Sequence, residues 1–237
     1  MLVGALGAFG AWTLLRSDAP APASLSEALR QAPAAPPPIA LSVPVAEPAL
    51  NLISGSGTVQ PDGAGLYQVV VGPSFVGYRV KEVLAGLGGN VAVGRSSEVA
   101  ASFAFDGRNL SNLDVSVNLQ VLKSDDARRD AQLRTQAIES ERFPSARFVF
   151  AGPTNIGGVP AEGEEAHAIL VGDLTLHGVT RPVTAHVYGA RKGELTVVVG
   201  TTEVLFSDFG IKPPQSIVVA SVEDHATVEF QLIFKKA

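Results

Sequence analysis

The sequence predicts an all-β protein whose strands form an antiparallel barrel, with a two-sheet sandwich as the alternative. Apolar and polar residues alternate along many short segments, which is typical of strands with one buried and one solvated face. Short connections between these segments indicate antiparallel hairpins. The chain has 24 glycines and more valines than aromatic residues, a composition that favours strands joined by tight turns. About eight such strands close most economically into a barrel.

The alternating pattern begins near residue 63 and continues almost to the C-terminus. In residues 113–121, Leu113, Val115 and Val117 alternate with polar side chains. The connections at 177–180 and 190–193 are short enough for hairpin turns. The predicted strands span 76–81, 98–105, 113–121, 147–150, 166–176, 181–188, 194–202 and 226–234.

One short charged helix, near residues 125–139, interrupts the strands. The expected N-cap is Ser124 or Asp125, and the carboxylates of Asp125 and Asp126 suit the positive end of the helix dipole. Leu133 is expected to face inwards and Glu139 to face water, so the helix can lie across one end of the barrel as a lid. Arg129 has two interpretations: a structural ion pair that fixes the helix, or a guanidinium that binds a phosphate or lipid headgroup.

The N-terminus predicts a membrane anchor followed by a linker. Residues 2–15 are apolar, but a helix of that length spans only about 21 Å, less than the hydrocarbon core of a bilayer. The segment is therefore interpreted as part of a longer membrane helix or a trimmed signal, with a buried core helix as the alternative. Residues 17–62 are rich in proline and alanine, as an extended spacer would be. The predicted division is an anchor at 1–16, a linker at 17–62 and a barrel domain at 63–237.

Composition and motifs argue against several functions. The net charge of −5 is unlike that of nucleic-acid-binding domains. The absence of cysteine excludes disulfides, thiolate metal sites and a cysteine nucleophile. The four histidines lack metal-binding spacing and are expected at the surface. Residues 206–211, FSDFGI, contain a kinase-like triplet without the other kinase motifs, so they are interpreted as a strand exit with Phe206 and Phe209 buried. We therefore expect neither an enzyme nor a metal or cofactor requirement.

Three separated motifs resemble the YceI-like, polyisoprenoid-binding, lipocalin-like family. They are the charged helix with its following strand (SDDARRDAQLR…ERFPSARFVF), the hairpin GDLTLHGVTRPV at 172–183, and FSDFGI. The stretches SFVGYRV and VGRSSEVAASFAFDG fit the same pattern, and the resemblance covers residues 65–236. It implies a lipocalin-like barrel with a long apolar channel, export beyond the inner membrane, and binding of an isoprenoid lipid. Residues 80–94 lie outside the usual pattern, and Leu84 and Leu87 among glycines suit either an apolar flap or an ordinary loop.

The expected function is an exported, membrane-tethered lipid-binding protein, periplasmic or secreted if the anchor is cleaved. Its ligand would be a prenyl quinone or polyprenyl phosphate held for carriage, storage or sequestration. The alternative is a non-catalytic accessory subunit whose barrel is filled by its own side chains. The residues predicted to line the channel are Val76, Tyr78, Phe103, Phe105, Val115, Val117, Leu119, Leu133, Phe148, Phe150, Leu170, Leu174, Leu176, Val197, Val199, Val228 and Phe230, with Arg129 as the possible headgroup contact.

Overall fold

Strands dominate the computed structural model, which describes residues 19–34, 63–84, 88–213 and 219–237. The predicted anchor at 1–16 and most of the predicted linker lie outside the described residues. Two α-helices, α1 (Leu25–Gln31) and α2 (Ala127–Thr135), and a 3₁₀ helix at Ser207–Phe209 accompany the strands. The strands are β1 (Gly65–Val69), β2 (Phe75–Leu84), β3 (Gly88–Ser96), β4 (Val99–Phe105), β5 (Asn109–Asn118), β6 (Lys123–Ser124), β7 (Ser145–Phe150), β8 (Thr154–Asn155), β9 (Glu165–Leu176), β10 (Val179–Lys192), β11 (Leu195–Val204), β12 (Val219–Val222) and β13 (Ala226–Lys236).

Eight of these strands form a closed antiparallel barrel in the order β1-β4-β5-β7-β9-β10-β11-β13, with β13 returning to β1. The predicted barrel is thus confirmed, and the sandwich is not formed. One strand of the ring differs from the prediction. Residues 76–81, predicted as a barrel strand, lie in β2 outside the ring, and β1, which was not predicted, takes its place. Strand β13 pairs with β1 near its C-terminal end and with β2 near its N-terminal end, so β2, β3, β6 and β12 extend the sheet beyond the ring.

Residues 80–94 form neither a flap nor a loop in their described part. They belong to an antiparallel β2–β3 hairpin whose register runs from Val76 opposite Ser96 to Leu84 opposite Gly88. Gly88 and Gly89, two of the glycines that suggested a loop, lie within β3, where they are paired with β2. Leu87 lies outside the described residues.

The predicted linker contains a helix that packs on the outside of the barrel. Residues 19–34, here called the strap, include α1, which buries Leu25 and Ala28 against Val197, Val199 and Ile233. The expectation of a single helix and of a linker at 17–62 is therefore wrong for the strap. The physical reason is an apolar stripe on the outer face of β10, β11 and β13, which leaves a surface for an apolar helix face to cover.

Polar contacts also hold the strap in place. Glu229, on the outer face of β13, is only 1% exposed and accepts hydrogen bonds from Arg79 at 2.7 Å, from Arg95 at 2.7 Å and from the backbone N–H of Ala23 at 3.2 Å. Lys192 Nζ donates to the carbonyl oxygens of Leu29 and Ala32, each at 2.6 Å, and so satisfies the C-terminal end of α1. The strap thus covers a buried charge cluster as well as an apolar surface.

Candidate binding cavity

The barrel encloses an elongated apolar cavity of about 310 Å³. Its length follows from β13, where Ala226, Val228, Phe230, Leu232 and Phe234 all border it. Alternate residues of a strand point to the same face, and this stretch spans about 27 Å along the strand. The volume lies near the lower end of the range for small-molecule pockets. The barrel is therefore not filled by its own side chains.

Aromatic rings lie against the barrel wall because glycines on neighbouring strands make room for them. A Cβ atom added at Gly200 would meet the ring of Phe230 at 2.4 Å, and one added at Gly172 would meet Phe148 at 2.6 Å. Gly94 stands in the same relation to Tyr78, at 2.5 Å. Each glycine lets a ring lie close to the backbone instead of projecting into the lumen. These ring–glycine pairs help to keep the cavity open.

Most of the predicted lining residues border the cavity, and four do not. Those that border it are Val76, Tyr78, Phe103, Val115, Val117, Leu119, Leu133, Phe148, Leu170, Leu174, Leu176, Val228 and Phe230, together with Arg129. The prediction is wrong for Phe105, Phe150, Val197 and Val199. Phe105 is buried in a cluster with Tyr67 and Phe103, and Phe150 is buried against Gly152, so both occupy filled parts of the structure.

Val197 and Val199 point away from the lumen because the inward phase of β11 is the opposite one. Thr196, Val198, Thr202 and Val204 border the cavity instead. The strand is apolar on both faces, since its outer face is covered by α1. Alternation of apolar and polar residues therefore cannot show which residues of β11 face the lumen. The contacts with α1 identify Val197 and Val199 as the outward-facing valines.

Helix α2 borders one end of the cavity, as expected for a lid. Leu133 contributes to the cavity wall, and Ala137, just beyond the helix, is buried beside Leu174 and Phe209. The N-cap is Asp126, so the expectation of Ser124 or Asp125 is wrong. The Asp126 carboxylate accepts from the backbone N–H groups of Arg128 at 2.7 Å and Arg129 at 3.3 Å. The Arg128 N–H is the main cause that lowers the pKa of Asp126, with burial acting in the opposite direction.

A histidine holds the segment that follows α2. His177, in the turn between β9 and β10, contacts a Glu139 carboxylate oxygen at 2.7 Å through Nε2 and the Phe209 carbonyl at 3.0 Å through Nδ1. The side chain of His177 is only 12% exposed, so the expectation of a surface histidine is wrong. The Glu139 side chain is 33% exposed, so it contacts both water and His177. Phe209 is buried and Phe206 partly buried, as predicted. His177 thereby connects the β9–β10 turn with the segment after α2 and with the 3₁₀ helix.

Arg129 forms ion pairs with two carboxylates at the end of the cavity. Its Nη2 donates to Glu82 at 3.0 Å and its Nη1 to Asp125 at 2.6 Å. Burial would lower the pKa of Arg129, but the charge of Glu82 and the hydrogen bond to Asp125 outweigh it and raise that pKa. Asp130 accepts from the Ser124 backbone at 3.0 Å and hydroxyl at 2.6 Å. The contacts of Arg129 with Glu82 and Asp125 favour the interpretation of Arg129 as a structural ion pair that fixes α2.

Sequence reasoning missed the chemistry around Tyr78 and Glu82. Glu82 is 7% exposed and accepts from Asn90 at 2.7 Å as well as from Arg129. The hydroxyl of Tyr78 is buried and has no hydrogen-bond partner among the described residues. Burial is the main cause that raises the pKa of Tyr78 above its ordinary value. No local signal marks these residues, because β2, β3 and α2 meet only in the fold.

The sequence of the barrel matches a known family. A model of the YceI-like domain matches residues 67–234. The chain belongs to this family. Among its relatives, the UPF0312 protein of Shewanella denitrificans is 29% identical over 189 residues, covering 76% of this chain and 95% of the relative. A UPF0312 protein of Vibrio parahaemolyticus is 32% identical over 148 residues, covering 59% and 75%.

Solved structures show the same fold as this YceI-like domain. A polyisoprenoid binding domain from Saccharophagus degradans has a TM-score of 0.58 at 14% identity, covering 72% of this chain and 98% of its own. BcnA of Burkholderia cenocepacia has a TM-score of 0.53 at 20% identity, covering 70% and 98%. At these identities the likeness establishes the fold alone.

Within residues 19–34, 63–84, 88–213 and 219–237, the acidic residues and histidines form no group of three or more that could hold a metal ion. Among the same residues, no helix is both long and apolar enough to cross a bilayer.

Proposed function

We propose that this YceI-like domain binds a polyisoprenoid-type lipid in the lumen of its barrel, for carriage, storage or sequestration. The observation that carries the proposal is the elongated cavity of about 310 Å³, bordered almost entirely by apolar side chains. An isoprenoid chain is slender and apolar, and each methylene transferred from water contributes about 0.8 kcal/mol. The description of the Saccharophagus degradans domain as polyisoprenoid-binding supports this choice among apolar ligands.

The proposed function includes export and attachment to a membrane through residues 1–16. Support comes from the apolar sequence of residues 2–15, which precedes a proline- and alanine-rich stretch. A barrel held at a membrane surface has direct access to the lipids that it binds. If the anchor is cleaved, the domain acts as a free periplasmic or secreted carrier.

The function is tested by filling the lumen without adding charge. Val117 borders the cavity on β5, and the larger side chain of a Val117→Phe variant would occupy ligand space. Lipids extracted from the purified protein are identified by mass spectrometry, and the delipidated protein is titrated with a fluorescent polyprenyl probe. We expect wild type to carry and bind isoprenoid, and Val117→Phe to lose most of both with a small loss of stability.

Val171→Phe is the matched control, because Val171 is 61% exposed on the outer face of β9. It adds the same atoms outside the lumen and should leave lipid content and affinity unchanged. A Val117→Phe protein that folds, is destabilised by about 1–3 kcal/mol through overpacking, and keeps wild-type lipid content would favour the accessory-subunit alternative.

A further inference from the structure

The imidazole ring of His177 lies between two hydrogen-bond acceptors. Its Nε2 is 2.7 Å from a carboxylate oxygen of Glu139, and its Nδ1 is 3.0 Å from the backbone carbonyl oxygen of Phe209. A carbonyl oxygen and an ionised carboxylate only accept hydrogen bonds, and a neutral imidazole has a single N–H group. Both contacts are therefore hydrogen bonds only when the ring carries two protons. In a neutral ring, one nitrogen lone pair would face an acceptor oxygen.

The backbone at both ends of the His177–Glu139 contact is in the left-handed region. His177 has a φ of 51° and Glu139 a φ of 46°. His177 and Gly178 are the two central residues of the tight turn between Leu176 and Val179, where positive φ favours glycine, asparagine or aspartate. A non-glycine residue persists in this region only where the surrounding contacts hold it. The histidine at this position is therefore explained by the contacts of its ring and not by the turn.

The two hydrogen bonds of His177 join separate parts of the cavity wall. Ala137 and Ile138, in the segment after α2, border the cavity on one side. Phe206 and Ile211 border it on the other, from either side of the 3₁₀ helix. Because His177 contacts both this segment and this helix, loss of either hydrogen bond would loosen the wall at the α2 end of the lumen.

One carboxylate determines the electrostatics of the His177 ring. Glu139 is the charged group in contact with it among the described residues. The other charged side chains in the segment after α2, in the 3₁₀ helix and at the adjoining ends of β9 and β10 are exposed: Glu141, Arg142, Asp208, Asp173 and Arg181. Water and salt screen exposed charges, whereas the His177 side chain is only 12% exposed. The protonation of the ring therefore decides whether both contacts are favourable.

We propose that His177 is a pH-sensitive latch for the α2 end of the barrel. With two protons on its ring it holds the segment after α2 closed, and loss of one proton releases that segment and speeds the exchange of a bound lipid. The latched state binds one more proton than the released state, so the latch is strongest in acid and weakens as the pH rises. Imidazole side chains titrate between about pH 5 and 8, so the change falls near neutrality. The effect on lipid exchange rests on the proposed function, whereas the closure of the segment does not.

Hydrogen–deuterium exchange of the delipidated protein tests the latch without a ligand. Amide protection of residues 136–143 is compared at about pH 5.5 and about pH 8, after correction for the intrinsic pH dependence of exchange. Peptides from β9, β10 and β11 serve as the internal reference. In wild type we expect protection of this segment to be about three- to tenfold weaker at the higher pH, as for the loss of one hydrogen bond. Unchanged protection would overturn the proposal.

Two variants should abolish this pH dependence in opposite ways. His177→Asn keeps a residue that tolerates positive φ but removes the imidazole, so the segment should be weakly protected at both pH values. Glu139→Gln supplies an amide that can donate to a neutral ring or accept from a charged one, so the segment should stay protected at both. His186→Asn is the matched control, because His186 is exposed on β10 and should leave the wild-type behaviour unchanged. The proposal is wrong if His177→Asn keeps the pH dependence or if Glu139→Gln behaves like wild type.

Release of a fluorescent polyprenyl probe tests the effect on the lumen. Loaded protein is mixed with excess unlabelled lipid in a stopped-flow instrument at the same two pH values. Wild type should release the probe about three- to tenfold faster at the higher pH, His177→Asn should release it fast at both, and Glu139→Gln slowly at both. Release that is independent of pH in wild type would overturn the proposal. If no probe binds, the proposed function fails, while the exchange measurement still decides whether His177 closes the segment.

Discussion

At the scale of single residues, the most informative feature is the ring that lies over a glycine. A Cβ at Gly200 would meet the His186 carbonyl at 2.3 Å and the Phe230 ring at 2.4 Å. The carbonyl belongs to a paired strand and cannot move freely, whereas the Phe230 ring borders the cavity, so its displacement would change the shape of the lumen. The width of the cavity therefore depends on a residue that has no side chain of its own.

Gly200→Ala should consequently lower both stability and ligand capacity. We expect a loss of about 1–3 kcal/mol in the free energy of unfolding, as for other overpacked sites, measured by urea denaturation. Binding of the polyprenyl probe should also weaken as Phe230 moves into the lumen.

Gly189→Ala is the comparison for this variant. Its added Cβ would have its nearest neighbour, the Val197 carbonyl, at an ordinary 3.6 Å. Because the space is available and alanine restricts the unfolded chain, this variant should be neutral or slightly more stable. Equal destabilisation of the two variants would show that contact of the added Cβ with Phe230 and the His186 carbonyl is not the reason for glycine at position 200.

At the scale of elements, sequence periodicity predicted the strands well where one face of each is solvated. Strand β5 is an example, since Val115 and Val117 border the cavity as predicted. Strand β11 is the counterexample, because its outer face is apolar too and the phase cannot be determined from alternation. Alternation along one strand does not indicate which other strands it will pair with. That β1 closes the ring, and not β2, could therefore not be predicted from alternation.

Helix α1 carried a local signal that composition obscured. Ser24 and Glu27 have capping-box spacing, and the Ser24 hydroxyl accepts from the Glu27 backbone N–H at 3.4 Å. The helix-forming stretch Leu25–Gln31 follows directly. Surrounding prolines made the whole interval resemble a spacer. The surface that α1 covers could not be predicted from the sequence, because it forms only when β10, β11 and β13 assemble.

The stability of α2 should depend on its cap. Asp126→Ala removes the acceptor for the Arg128 and Arg129 N–H groups and should cost about 1 kcal/mol at neutral pH, while Asp126→Asn retains an acceptor and should cost less. Urea denaturation of the three proteins measures this.

The pH dependence of the cap has a definite sign. The pKa of Asp126 is lowered in the folded protein, chiefly by the Arg128 N–H, so its charged form contributes stability above the unfolded-state pKa of about 4. That contribution is lost as the pH falls through the lower, folded-state pKa. The difference between wild type and Asp126→Ala should therefore shrink in strong acid. A difference that grows on acidification would contradict the assigned role of Asp126.

At the scale of the whole molecule, the strap joins the N-terminal region to the barrel wall. It covers Ile233 and Val197, both completely buried, and donates a backbone hydrogen bond to the buried Glu229. Without the strap, an apolar stripe and a carboxylate held by Arg79 and Arg95 would face water. The folded unit therefore includes the strap and does not begin at β1.

Two truncations distinguish tethering from folding. Deleting residues 1–18 leaves the strap intact, so the melting temperature should stay unchanged while the protein leaves the membrane fraction in a flotation assay. Deleting residues 1–34 also removes Leu25, which is 7% exposed, and Ala28, which is fully buried. Burying one leucine contributes about 1.5–3 kcal/mol, so the longer deletion should lower the free energy of unfolding by at least that amount. If both truncated proteins melt like the full chain, the strap is dispensable for folding; if the shorter deletion stays with the membrane, residues 1–16 are not the anchor.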